Sequence, residues 1–208
     1  MDKSSIKPLH LILLCVLFAF LIWSFISPRD RLTWFMEVTP AIIILAVVIL
    51  TYDRFRLSDL TYILITVQSV IIMIGGHYTY EEVPWFNWLR DALGLARNHY
   101  DRLGHFIQGF GPAIIAREVL LRTTPLRRGN MLYFLVVSVC LAMSAFYELI
   151  EWGIAVGSGG GASAFLGTQG DVWDTQWDMF MALLGANIGL ILLKARHDRS
   201  MKKDGLYE

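Results

Sequence analysis

Tyr100-Asp101-Arg102-Leu103-Gly104-His105-Phe106-Ile107-Gln108-Gly109-Phe110 opens an apolar run with a carboxylate and, four residues on, an imidazole. On a helix, positions i and i+4 share a face one turn apart. Asp101 and His105 placed this way can ligate a metal, pass a proton or pair with each other. Two more acidic sets adjoin other apolar runs. Glu148 and Glu151 are three apart, hence on one helical face. Asp171, Asp174 and Asp178 stand at i, i+3 and i+7, again one face. His77 closes a further apolar run. Histidine with several carboxylates suits Zn²⁺, Mn²⁺ or Fe²⁺, and carboxylates alone suit Mg²⁺ or Ca²⁺. Facing helices of a bundle build di-metal sites from such carboxylates.

Each residue also has a plainer use. Asp101, Asp171 and Asp174 sit where helices begin, and acids there cap the chain and complement its dipole. Asp178 is a full turn inside and caps nothing. Glu148 and Glu151 oppose the dipole at a helix C-terminus, so an ion, an arginine or a proton must hold them. Arg97 or Arg102 as that partner gives a structural ion-pair network, into which Gln108 and Gln176 can hydrogen-bond. Asn187, Gly185 and Gly189 have the spacing of helix packing.

The elements that must position these residues are membrane spans. The 208 residues are 55% hydrophobic and 17% charged, with mean hydropathy +0.51; a soluble domain averages about 45–50% apolar and about 25% charged. A span needs about 20 apolar residues. The pattern predicts an all-α, polytopic membrane protein, a single domain over 1–208. Six transmembrane helices are expected at about 9–26, 35–52, 57–75, 101–121, 131–156 and 178–193. Pro40 falls near the start of the second. The first run ends in Ser24-Phe25-Ile26-Ser27-Pro28, without the small-residue pattern of a cleaved signal peptide. Pro84 starts a short interfacial helix to about Ala96, amphipathic through Trp85, Phe86, Trp88, Leu89 and Leu93. Gly157 to Ser163 reads as a flexible loop, and the tail from Lys194 as basic and polar. Cys15 and Cys140 lie within apolar runs as small hydrophobes.

The formal charge is zero, but its distribution is lopsided. With the N-terminus inside, 13 of the 18 basic residues fall on the cytoplasmic side, as the positive-inside rule demands. Both termini are then cytoplasmic. The three acidic sets, His77 and all seven tryptophans reach the outer face, with the interfacial helix. Phosphate-cradling, nucleophile-elbow and zinc-protease motifs are absent, and nothing points to nucleic acid. The partner implied is membrane lipid.

Tyr100-Asp101-Arg102-Leu103-Gly104-His105-Phe106, Tyr147-Glu148-Leu149-Ile150-Glu151-Trp152 and Asp171-Val172-Trp173-Asp174-Thr175-Gln176-Trp177-Asp178 resemble a bacterial family, the YjdF-type inner-membrane proteins. That resemblance covers essentially the whole chain. It implies a multi-pass inner-membrane protein with a cytoplasmic C-terminus, and it brings no activity with it. The last three spans are more distantly similar to the VanZ-like family. Asp101, His105, Glu148, Asp178 and Gly185 match its pattern. Glu151 replaces a glutamine and Ala182 an asparagine, so the site here is more acidic.

The function expected from these residues is metal-dependent envelope chemistry on a lipid-linked or phosphorylated substrate. Asp101, His105, Glu148, Glu151 and Asp178 are the catalytic candidates. The divalent metal would be held among them and Asp174, with His77 a further candidate. The alternatives are a cation- or proton-coupled transporter, and a non-catalytic scaffold whose charges form a structural network.

Overall fold

The computed structural model describes residues 6–157 and 168–206, so most of the expected glycine-rich loop lies outside the described residues. Seven helices follow one another: α1 (Pro8–Phe25), α2 (Arg31–Thr51), α3 (Asp59–His77), α4 (Pro84–Leu93), α5 (Tyr100–Thr123), α6 (Asn130–Gly157) and α7 (Asp174–Lys203). No strand occurs among the described residues. The protein is an all-α polytopic membrane protein. Five helices, α1, α2, α3, α6 and α7, are long and apolar enough to cross a membrane. At 24 residues α5 matches them in length but not in apolarity; it carries five charged residues besides His105 and Gln108.

Local chemistry sets the helix ends. Asp30 caps α2 by accepting from the Thr33 amide at 2.7 Å, so the helix starts four residues before the apolar run. Pro40 therefore sits in the helix interior, as Pro112 does in α5, where each removes one helical hydrogen bond. Such breaks persist in membrane helices where neighbours compensate. α4 stops at Gly94, which takes the left-handed φ of 64° that glycine adopts without strain. Trp85, Trp88 and Leu93 on it are exposed, as an interfacial helix requires. α7 runs ten residues past the expected apolar end at Leu193. The basic tail is helical because other elements hold it.

α1 and α2 pack on α3, and α6 and α7 pack on α5; the two groups meet along α3 and α5. One core lies in the first group, around Leu17, Val38 and Met73. The other fills the second, around Ile114, Val136 and Ala186. The closest approach is between α5 and α7. A Cβ added to Gly109 would lie 1.8 Å from the Ala182 carbonyl oxygen, and one on Gly185 would lie 2.0 Å from that of Phe106. Apolar burial drives little helix association in lipid, where small residues allow close packing instead.

The bundle has two chemically distinct ends. The starts of α2, α5 and α7 and the finish of α6 define what we call the site end. All seven tryptophans lie towards it, and every one except Trp34 is exposed. At the opposite end, Glu118 of α5 is fully buried. Its carboxylate accepts from the Ser58 amide at 2.9 Å, the Ser58 hydroxyl at 2.7 Å, Thr61 at 2.6 Å and Arg122 at 2.8 Å. His197 Nε2 is 3.0 Å away. Arg117 lies 2.8 Å from His197 Nδ1; since guanidinium only donates, Nδ1 accepts and Nε2–H donates to Glu118. The first turn of α3 is closed from α7: Ser200 accepts from the Leu60 amide at 3.2 Å, and Asp204 from the Asp59 amide at 2.9 Å. Lys7 then bridges Asp59 and Asp204 at 2.7 and 2.5 Å.

Candidate metal centre

The α5–α7 contact through Gly109 and Gly185 brings the first turns of α5 against the second turn of α7, and the last turns of α6 pack beside both. Four site side chains are thereby buried. His105, Glu148 and Glu151 retain 6%, 7% and 9% of their exposure, and Asp178 2%; Asp101 is half-buried. His105 Nε2 lies 3.6 Å from Asp101 and 3.5 Å from Glu148. These distances exceed good hydrogen bonds and leave room between the groups. Ligand-capable atoms of Asp101, His105 and Asp178 lie within 4.8 Å of one another, as do those of His105, Glu148 and Glu151. The two triads share the imidazole.

Three polar atoms in this set are buried without a hydrogen-bond partner among the described residues: His105 Nδ1, Glu148 Oε1 and Asp178 Oδ1. An orphaned buried polar atom costs about 1–3 kcal/mol, more when charged. A divalent cation with nitrogen and carboxylate ligands satisfies such atoms, so the residues fit the group expected from their types.

Arginines organise the outskirts. Arg97, buried just before α5, pairs with Asp174 and lies 3.7 Å from Asp101 and 3.8 Å from Asp171. Arg102 pairs with Asp171 at 2.5 Å. The Trp173 amide donates to Asp171 at 2.9 Å. That bond, and after it Arg102 and Arg97, hold the Asp171 carboxyl below its usual range. Asp171 and Asp174 thus belong to an ion-pair rim, and Asp174 is outside both triads. His77 is elsewhere. It stacks on Trp23 at 4.5 Å, with Nδ1 3.1 Å from the Ser24 carbonyl oxygen. Gln176 is exposed.

One residue escaped the sequence reading. Glu37 of α2 is buried at 7% exposure, and the Tyr147 hydroxyl donates to it at 3.2 Å. The signal was present, because an acid inside an apolar span is a site candidate by default. Glu37 has no acidic or imidazole neighbour at helical spacing, so it formed no pattern. Tyr80 also closes on the site. Its ring lies where a side chain on Gly75 or Gly104 would be, at 2.4 and 3.1 Å. Tyr80 itself takes a left-handed φ of 56°, uncommon for such a residue, and burial pushes its phenol well up.

Glu37, Asp101, His105 and Glu151 stand at one end of a cavity of about 710 Å³, which Gln108 also lines. Its remaining walls are mostly aliphatic, from α2, α3, α5 and α6. Ligand sites are commonly of this size, apolar with a few convergent polar groups.

The profile described as "Predicted membrane protein (DUF2238)" matches residues 9–199. The "Inner membrane protein YjdF" of Escherichia coli (strain K12) is 52% identical over 186 residues, 89% of each chain. No solved structure matches. An inner-membrane location follows, and by the extent of both matches this chain belongs to the DUF2238 family of predicted membrane proteins.

Proposed function

We propose that the protein is a metal-dependent envelope enzyme whose site faces the outer side of the inner membrane and acts on a lipid-linked or phosphorylated substrate. The observation that carries this is the set of orphaned atoms on His105, Glu148 and Asp178, buried within reach of further carboxylates. In this reading α5 is the sixth crossing, its polar face turned to α3, α6 and α7. The opposite end, rich in lysine and arginine, is cytoplasmic with both termini.

The ion would be held by His105 with Glu148 and Glu151, or by His105 with Asp101 and Asp178. A bound divalent metal supplies an activated water and polarises a phosphoryl or carbonyl oxygen. Glu37, outside both triads and facing the cavity, is the general base, oriented by the Tyr147 hydroxyl. Arg97 keeps Asp101 in place from behind.

Metal analysis of purified protein tests the reading. Wild type carries stoichiometric metal, and His105→Ala and Glu148→Gln lose it while remaining monodisperse. A metal-free wild type, purified without chelator and unable to take up added Zn²⁺ or Mn²⁺, overturns it. Gln68 Oε1 and Ser69 Oγ, buried without partners deeper in the bundle, favour a second reading, cation- or proton-coupled transport. Uptake into proteoliposomes that fails in Gln68→Leu would establish that instead.

A further inference from the structure

The cavity does not stop at the site. It is lined by Tyr80, just past the finish of α3, and by Leu57, just before its start, and it extends to Thr51 and Thr123 at the opposite end. It therefore follows the whole of α3, 19 residues or about 28 Å. The hydrocarbon core is about 30 Å thick and a leaflet half of that. A volume of about 710 Å³ drawn out over that length is a long groove rather than a compact pocket.

The cleft also opens sideways. α3 and α5 pack together as its floor, while α2 and α6 stand as walls that do not pack broadly on each other. On the rims, Ile43 and Val47 of α2 are 56% and 53% exposed, and Met143 and Phe146 of α6 are 53% and 65% exposed. Only at the site end does a bond bridge these walls in the described residues, from Tyr147 to Glu37. A chain lying in the bilayer can enter between α2 and α6 without leaving the hydrocarbon, and its polar end then meets Glu37, His105 and Asp101.

From this we infer that the cleft binds a single long isoprenoid chain, the tail of a polyprenyl lipid whose head reaches the site end. The tails of a diacyl phospholipid are each confined to one leaflet and do not fit the length. The inference deepens the proposed function by naming the substrate class of that site, and it rests on that reading only for what happens to the head.

The test separates the two by using neutral prenols with chelator present. Undecaprenol and farnesol are titrated into purified protein in phosphatidylcholine nanodiscs, with binding read by native mass spectrometry. Undecaprenol binds about fivefold or more tighter than farnesol, a margin set by fit because both tails leave lipid rather than water. Val48→Trp, at the opposite-end half of the cleft, removes that margin and leaves farnesol unchanged. Met143→Trp, nearer the site, weakens both prenols. Phe134→Trp, exposed and outside the lining, changes neither. If Val48→Trp aggregates, Ile115→Phe at a neighbouring lining position gives the same pattern at smaller size. Equal affinity for the two prenols, or a margin that survives the blocking substitutions, overturns the inference whatever the metal analysis shows.

Discussion

Glu118 and Glu148 sit on adjacent helices, both buried to 7% exposure or less, yet their surroundings are opposite. Glu118 receives five bonds at 3.0 Å or less, from three helices and a loop. Glu148 has an oxygen without a hydrogen bond, 3.5 Å from an imidazole whose other nitrogen is also unpartnered. A completed network fixes structure. Its charges are spent on neighbours and nothing else can enter. An incomplete one of equal burial holds free energy that a ligand can release. The contrast teaches that distance and satisfaction, rather than residue type, separate the clamp from the site, since each end has an acid, an imidazole and arginines.

The comparison breaks most sharply by substitution. Glu118→Ala leaves the Ser58 amide and His197 Nε2–H without their acceptor and takes one of two from Arg122, and removing one partner of a buried pair costs about 3–5 kcal/mol. Thermal unfolding in detergent shows that loss, while Glu148→Gln, which relieves crowding among acids, is neutral or stabilising in metal-free protein. Equal losses for both would make the site end a second clamp.

Metal comes next. At a hundredfold excess over its dissociation constant, a ligand stabilises by about 2.7 kcal/mol, so chelation lowers the melting temperature of wild type and leaves that of His105→Ala unchanged. Gly109→Ala tests the shared foundation. Its Cβ meets the α7 backbone, and overpacking costs about 1–3 kcal/mol; metal content falls with stability, whereas the Glu118–His197 clamp further along α5 persists. The smallest effect is at the rim. Because the Asp171 carboxyl is held below its usual range, its contribution is present above the unfolded value and lost as pH falls through the folded one. A shallow stability loss below about pH 4, absent in Asp171→Asn, is the expected melting profile.

Much of this was legible in the chain. Six apolar runs and a short amphipathic stretch gave the helices, because hydropathy and capping act locally. The Asp101/His105, Glu148/Glu151 and Asp178 pairs announced themselves through helical spacing, and they meet. What stayed hidden depends on contacts between distant segments. Glu118 and His197 lie 79 residues apart, and no local spacing joins them. The tail from Lys194 reads as basic and polar, since its partners on α3 and α5 have no mark in its own pattern. Asp174 has the spacing of a ligand and the place of a cap, and its pairing with Arg97, 77 residues away, has no mark in either stretch. The cleft is a gap between helices, a property of packing that no single stretch encodes.

The closure of α3 by α7 has a consequence for how the protein is made. The amides of Asp59 and Leu60 wait for Asp204 and Ser200, synthesised 145 and 140 residues later. At ribosomal speeds of about 5–20 residues per second that interval is roughly seven to thirty seconds. Through it, the first helices are in the membrane with their central member uncapped. The polypeptide is thus fastened last at the place where its beginning is anchored.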